Sequence, residues 1–329
     1  MFGSFGANAT LSGDPDAQQL ERKDTMSPPN QVIDTRMHGV PGITGAFLIT
    51  DELTALVETG PKSSIQFVLA GLRDAGVEKL DWIIVTHIHL DHAGAAGTLA
   101  ARYPEARVAV HEVGARHLVD PSKLWSSASR IYGNAMERLW GGIDPLPEER
   151  ITSLADGDKI ELGASTLQAV DTPGHAGHHH TFLDVASGVA FVGDALGVRL
   201  PDVGIMRPAT PPPEFDLELA VSSIGRIAGL DPTEVYLTHF GSPASGTNPA
   251  SPKDVCDEAI DALRTWADWV QAARKQTTDI DEVSHLIAER SRVAMGTEVG
   301  DDAVERMEQT TSYSMNTSGY MRYFDKRAK

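Results

Sequence analysis

Cysteine is almost missing from this chain. Cys256 is the only one in 329 residues, so an intramolecular disulfide and a thiolate metal cluster are both excluded. Positive charge is scarce too: Lys and Arg number 28 against 46 Asp and Glu, a formal net charge of −18. A nucleic-acid partner requires a basic footprint, and this balance argues against one. No apolar run approaches the roughly 20 residues needed for a membrane-spanning helix. Met1–Asn30 has neither the basic start nor the apolar stretch of a secretory signal. We therefore expect a cytoplasmic protein with no membrane partner. A hydrophobic content of 41% suffices for a globular core. The length allows one large catalytic domain with an appendage, or two ordinary domains.

Residues 1–30, rich in Gly, Ser, Pro, Asp and Gln, read as a flexible arm. Strands are expected at Val32–His38, Thr44–Thr50 and Leu53–Glu58. A helix follows over Ser63–Ala75, where Ile65, Val68, Leu69 and Leu72 keep a helical period and Gly76 ends it. Trp82–Val85 is a continuous β-branched run, as in a strand buried on both faces. Ala93–Tyr103 reads as a helix, Arg107–His111 as a strand and Val113–Trp140 as helical. Short strands follow at Lys159–Leu162, Thr166–Asp171, Thr181–Val185 and Val189–Val192. A helix near Leu217–Ile227 and a strand Glu234–Thr238 complete this part. After a Pro/Ser/Gly-rich linker, three amphipathic helices are expected, the first carrying Leu263, Trp266 and Val270, the others at Ile280–Val293 and Asp301–Tyr313. The division is an arm (1–30), a catalytic α/β sandwich (31–245) and a C-terminal helical extension (246–329).

The chemistry concentrates in Thr86-His87-Ile88-His89-Leu90-Asp91-His92-Ala93-Gly94. Four candidate ligands fall within six residues, directly after a buried strand. Residues two apart in extended chain point the same way, so His87 and His89 can converge on one cation. Asp91 and His92 sit where the chain turns into a helix and adjacent side chains diverge, which serves two neighbouring metals better than one. Three later segments supply more ligands, each at a strand-to-loop junction: His175 after Thr172-Pro173-Gly174, Asp194 after Gly193, and His239 after Thr238. Ligands gathered at the ends of several strands are how a site is built on a rigid sheet.

These segments, in this order, resemble the metallo-β-lactamase superfamily, over Val32 to about Gly241. The resemblance implies a four-layer αββα sandwich. It also implies one metal on His87, His89 and His175, and a second on Asp91, His92 and His239, with Asp194 bridging both. The non-cysteine bridge is similar to the glyoxalase II and lactonase side of the superfamily. One departure stands out: the family's early Asp-Thr-Gly appears here as Glu58-Thr59-Gly60, one methylene longer.

Imidazole and carboxylate ligands suit zinc first, with iron or manganese also allowed. Two divalent ions sharing Asp194 would hold a bridging hydroxide at neutral pH, with Asp91 passing its proton to the leaving group. The expected activity is hydrolysis of an ester, lactone or thioester of a small molecule. The competing reading is a mononuclear-iron oxidoreductase similar to persulfide dioxygenases, which lacks a complete second ligand set. A homodimer is compatible with either. The sequence leaves open which substrate is used and whether His178, His179, His180, Trp125, Tyr132, Trp140 or Arg207 touch it. Alternation along a strand would aim either His178 and His180, or His179 alone, at the site. Trp125, Tyr132, Met136 and Trp140 either line a pocket or form a hairpin core, and His38, His285 and Cys256 read as structural.

Overall fold

The structure, a computed structural model, describes residue 29 and residues 31–245, 248–296 and 299–328. The arm expected over residues 1–30 falls outside the described residues apart from Pro29. Six strands form the first sheet in sequential order: β1 (Gln31–Asp34), β2 (Gly45–Thr50), β3 (Thr54–Val57), β4 (Trp82–Ile84), β5 (Arg107–His111) and β6 (Ile151–Leu154). Five form the second: β7 (Lys159–Glu161), β8 (Thr166–Asp171), β9 (His180–Asp184), β10 (Val189–Gly193) and β11 (Glu234–Leu237), in the order β11-β10-β9-β8-β7.

The two-residue period of a strand explains how the layers stack. Along β2, Phe47 and Ile49 face inward, meeting Phe182 and Phe191 of the second sheet. Ala46 and Leu48 of the same strand face outward and pack under helices. Both faces are covered, which is why these strands read as continuous apolar runs. The outer face of the first sheet is roofed by α1 (Ile65–Asp74) and, beyond the short α2 (Leu90–Ala93), by α3 (Ala96–Arg102). The result is the expected four-layer αββα sandwich.

Between β5 and β6 the stretch expected as one helical segment is three helices: α4 (Glu112–Val119), α5 (Ser122–Tyr132) and α6 (Met136–Trp140). Pro121 starts α5, and Gly133, at φ 51°, ends it in a backbone conformation open mainly to glycine. The first strand also stops early, at Asp34. Its carboxylate accepts the Arg36 and Gly42 backbone N–H groups, folding residues 35–42 into a turn that brings His38 back toward the sheet edge.

On the other side, α7 (Leu217–Gly229) covers the second sheet through Ala220, Ile224 and Ile227. Among the described residues the C-terminal helices are four rather than three: α8 (Pro252–Arg274), α9 (Ile280–Met295), α10 (Asp301–Thr310) and α11 (Tyr313–Arg327). The helix expected to run to Tyr313 ends at Thr310. Thr311 is extended, and Ser312 caps a new helix by accepting the Met315 N–H. Val255, Leu263, Trp266 and Val270 of α8 share one core with Val235 and Leu237 of β11 and Ile224 of α7. No described helix is long and apolar enough to cross a membrane.

Candidate metal centre

Parallel pairing decides where the site forms. β3 runs parallel to β4, and β4 to β5, so the carboxyl ends of these strands lie on one edge of the first sheet. Glu58 leaves β3 there and His87 leaves β4. β10 and β11 are parallel in the second sheet and deliver Asp194 and His239 to the same edge. All seven residues read from the sequence as ligands come together, in three overlapping groups: His87, His89 and His175; His87, His92 and Asp194; Asp91, His92 and His239.

In the first group, the His87 Nε2 and His175 Nε2 atoms each lie 2.9 Å from His89 Nδ1. In the second, His92 Nε2 is 3.4 Å from Asp194 Oδ1, yet neither atom has a hydrogen-bond partner among the described residues. His239 Nε2 lies 3.5 Å from both Asp194 Oδ1 and Asp91 Oδ2. Buried polar atoms left without partners are costly in a native fold, and a cation among them would satisfy them. The tautomers agree. His175 Nδ1 lies 2.9 Å from the Ala209 carbonyl and His239 Nδ1 2.8 Å from that of Ile43. A carbonyl can only accept, so each Nδ1 carries the proton and each Nε2 keeps a free lone pair, the form a metal requires.

Charge is distributed to suit cations. Burial and the neighbouring histidines hold His87 and His89 well below the usual imidazole range, leaving them neutral donors. Burial works against ionisation of Asp194 and Asp91, but it is outweighed by His92 and His239, and both carboxyls stay below their usual range. His92 and His239 shift upward against their own burial because these carboxylates face them.

The departure at Glu58 proves constructive. The side chain is fully buried; Oε1 accepts the Thr86 N–H at 2.9 Å, and Oε2 lies 2.7 Å from His92 Nδ1. The residue adopts φ 72°, a left-handed conformation uncommon outside glycine. This backbone geometry, with the longer arm, fixes the His92 tautomer and so presents Nε2 to the site. Asp194 is held from behind by His179, whose Nε2 accepts the Asp194 N–H at 3.1 Å while Nδ1 faces Thr172 Oγ1 at 2.8 Å. Gly193 makes that approach possible: at φ 51°, an added Cβ would lie 2.6 Å from His179 Nε2.

The three consecutive histidines do not alternate as expected of a strand, because β9 begins only at His180 and His178 lies in the turn before it. They point three ways: His178 into the cavity, His179 behind Asp194, and His180 toward Asp171, at 2.8 Å. His111, His180 and Asp171 make a fourth group of possible donors. Here the tautomer speaks against a metal: His111 Nδ1 accepts the Val113 N–H, so Nε2 of the neutral ring carries its proton.

Above these candidate ligands lies a cavity of about 480 Å³, in the size range of small-molecule sites. Tyr132 and Trp140 line it, while Trp125 and Met136 belong to the apolar cluster beneath. His38, read as structural from the sequence, is in the cavity wall. Arg207 is not. Its buried guanidinium is committed to Glu308, the Thr311 carbonyl and the Tyr313 hydroxyl. One positioning residue was invisible in the sequence: Asn316 of α11. It accepts the Thr210 N–H and donates to the Pro208 carbonyl, each at 2.8 Å, fixing the loop whose Ala209 carbonyl orients His175.

The profile of the metallo-beta-lactamase superfamily matches residues 39–239, more than half of the chain. The chain belongs to the metallo-β-lactamase superfamily. By class it is a metal-dependent hydrolase. A metallo-beta-lactamase fold-containing protein of Sulfurisphaera tokodaii is 29% identical over 195 residues, covering 58% of this chain and 70% of that one. A hydroxyacylglutathione hydrolase of Acidiphilium cryptum is 28% identical over 253 residues, 75% of this chain and 87% of that one. Among solved structures, an archaeal superfamily protein from Sulfolobus tokodaii superposes with a TM-score of 0.62 at 24% identity, covering 85% of this chain and 93% of that one. A family protein from Thermus thermophilus gives 0.61 at 20% identity, covering 87% and 89%. These last two likenesses concern the fold, and superfamily members share it across many substrates.

Proposed function

We propose that the chain is a binuclear metal-dependent hydrolase that cleaves an ester, lactone or thioester bond of a small molecule. One observation carries this reading: the two oxygens of Asp194 face different donor sets. Oδ1 lies 3.4 Å from His92 Nε2 and 3.5 Å from His239 Nε2, whereas Oδ2 lies 3.5 Å from His175 Nε2. A carboxylate so divided could serve two cations at once. The first would be held by His87, His89 and His175, the second by Asp91, His92 and His239. The donor set favours zinc, with iron or manganese also compatible.

Two such ions, when bound, polarise an acyl carbonyl and make water acidic enough to ionise near neutral pH. The chain's own residues do the rest. Asp91 is the more exposed of the two aspartates, at 17% of its side chain, and lines the cavity. It accepts the proton of the attacking water and delivers it to the departing oxygen or sulfur. A bond forms from the water oxygen to the acyl carbon, the acyl–heteroatom bond breaks, and an acid and an alcohol or thiol leave. The likeness to a hydroxyacylglutathione hydrolase supports acyl chemistry of this kind.

The test is a metal titration on the full chain. Removing metal with a strong chelator should abolish hydrolysis of esters and lactones, and zinc or manganese should restore it with saturation near two equivalents. Saturation at one equivalent, or no ester or lactone hydrolysis by the zinc- or manganese-loaded chain, would overturn the proposal.

A further inference from the structure

The helix α5 has an apolar face that the protein buries only in part. None of its residues is fully buried, although Leu124, Ala128, Ile131 and Tyr132 fall at three-to-four spacing along one stripe. A surface helix of a globular protein normally turns such a stripe onto a core. Here all four residues line the cavity above the metal ligands, and Ile131 is 49% exposed. Ala209, Pro211, Pro212 and Met315 add further apolar lining.

Away from the metal-binding residues, the cavity offers an anionic substrate little positive charge. Among the described lining residues, Lys123 is the only one with a permanent positive charge, while Glu214, Glu308 and the two site aspartates all line the cavity. Arg207, the nearest further cation to Glu308, is spent on Glu308, Thr311 and Tyr313. A glutathione conjugate carries two carboxylates, and burying an unpaired carboxylate near glutamates is costly.

We propose that the cavity selects a neutral acyl ester or lactone whose apolar chain or ring lies along the Leu124–Tyr132 stripe, in preference to an anionic glutathione thioester. This assignment rests on the hydrolase reading above and names its substrate class. The stripe sets chain-length preference, and its removal shifts selectivity rather than chemistry.

The experiment compares the metal-loaded full chain with its Ile131→Lys variant, whose exposed position makes the substitution compatible with folding. Substrates are p-nitrophenyl acetate, butyrate and octanoate, an aliphatic lactone and S-lactoylglutathione. For the native chain, kcat/KM should rise about threefold per added methylene until the cavity is filled, with S-lactoylglutathione at least ~10-fold below the best neutral substrate. In the variant, the octanoate-to-acetate ratio of kcat/KM should fall about 10-fold or more. Calorimetric binding of octanamide, which is not an ester, gives a readout independent of turnover and should weaken in the variant. If octanamide binds as expected but no ester, lactone or thioester is cleaved, the hydrolase reading fails while the apolar binding role of the stripe stands. If S-lactoylglutathione is the best substrate, or the variant changes neither the ratio nor octanamide binding, the cavity assignment is overturned.

Discussion

Replacing Asp194 with alanine should lower turnover of the chain by about 10³-fold or more and reduce bound metal from two equivalents toward one or none. The reason is positional. Both oxygens of this carboxylate face imidazole nitrogens, on opposite sides, and Oδ1 has no hydrogen-bond partner among the described residues. If Asp194 is the shared ligand proposed above, alanine removes it from both cations at once. The backbone should survive, because the Asp194 N–H still reaches His179 and Gly193 still supplies the turn. Loss of metal with an unchanged circular-dichroism spectrum is therefore the expected pair of results. A variant that keeps two equivalents of metal would show that another residue is the bridge.

Asp91→Asn should separate catalysis from metal binding. The amide keeps an oxygen near His239 Nε2, 3.5 Å away in the native chain, and near His92 Nε2, 3.7 Å away. Much of the second metal should remain. The amide cannot accept the proton that the carboxylate takes from water, so kcat should fall about 10²- to 10⁴-fold. KM should change far less, because the cavity walls proposed to hold the acyl group are untouched. Parallel measurement of kcat, KM and metal content checks this. Near-native turnover would refute the proton-transfer role, and complete loss of the second metal would reduce Asp91 to a ligand.

The sequence makes the sheets and the seven site residues legible for a shared reason. Trp82–Ile84 is a parallel strand without polar interruption, and His87 lies three residues past its end; Asp194 and His239 likewise follow closely on β10 and β11. Local pattern and function coincide there. The parts that escape reading depend on tertiary context. β6, Ile-Thr-Ser-Leu, is too short and mixed to announce itself, and becomes a strand by pairing with β5. α11 carries no clean apolar stripe, because its buried face includes Asn316, Thr317 and Gly319. Those residues answer to the Pro208–Thr210 loop: an added Cβ on Gly319 would lie 1.7 Å from the Thr210 carbonyl oxygen. The role of Asn316 behind His175 therefore has no local signature.

Glu58 illustrates a different limit. As a sequence departure from Asp it raises a question about the support of His92. The answer depends on a left-handed backbone angle that the residue types alone do not disclose. The triple histidine fails similarly. Period-two alternation requires a strand, and only His180 is in one. His38 reaches the cavity because Asp34 ties residues 35–42 into a turn, a consequence of hydrogen bonds made at a distance along the chain.

The most direct test of the central claim is anomalous diffraction from a crystal of the zinc-loaded chain, collected on both sides of the zinc edge. Two peaks are predicted, about 3.5 Å apart, one among His87, His89 and His175 and the other among Asp91, His92 and His239, with the Asp194 carboxylate between them. A single fully occupied peak with Asp194 bound through one oxygen, or no ion among these seven residues, would contradict the account.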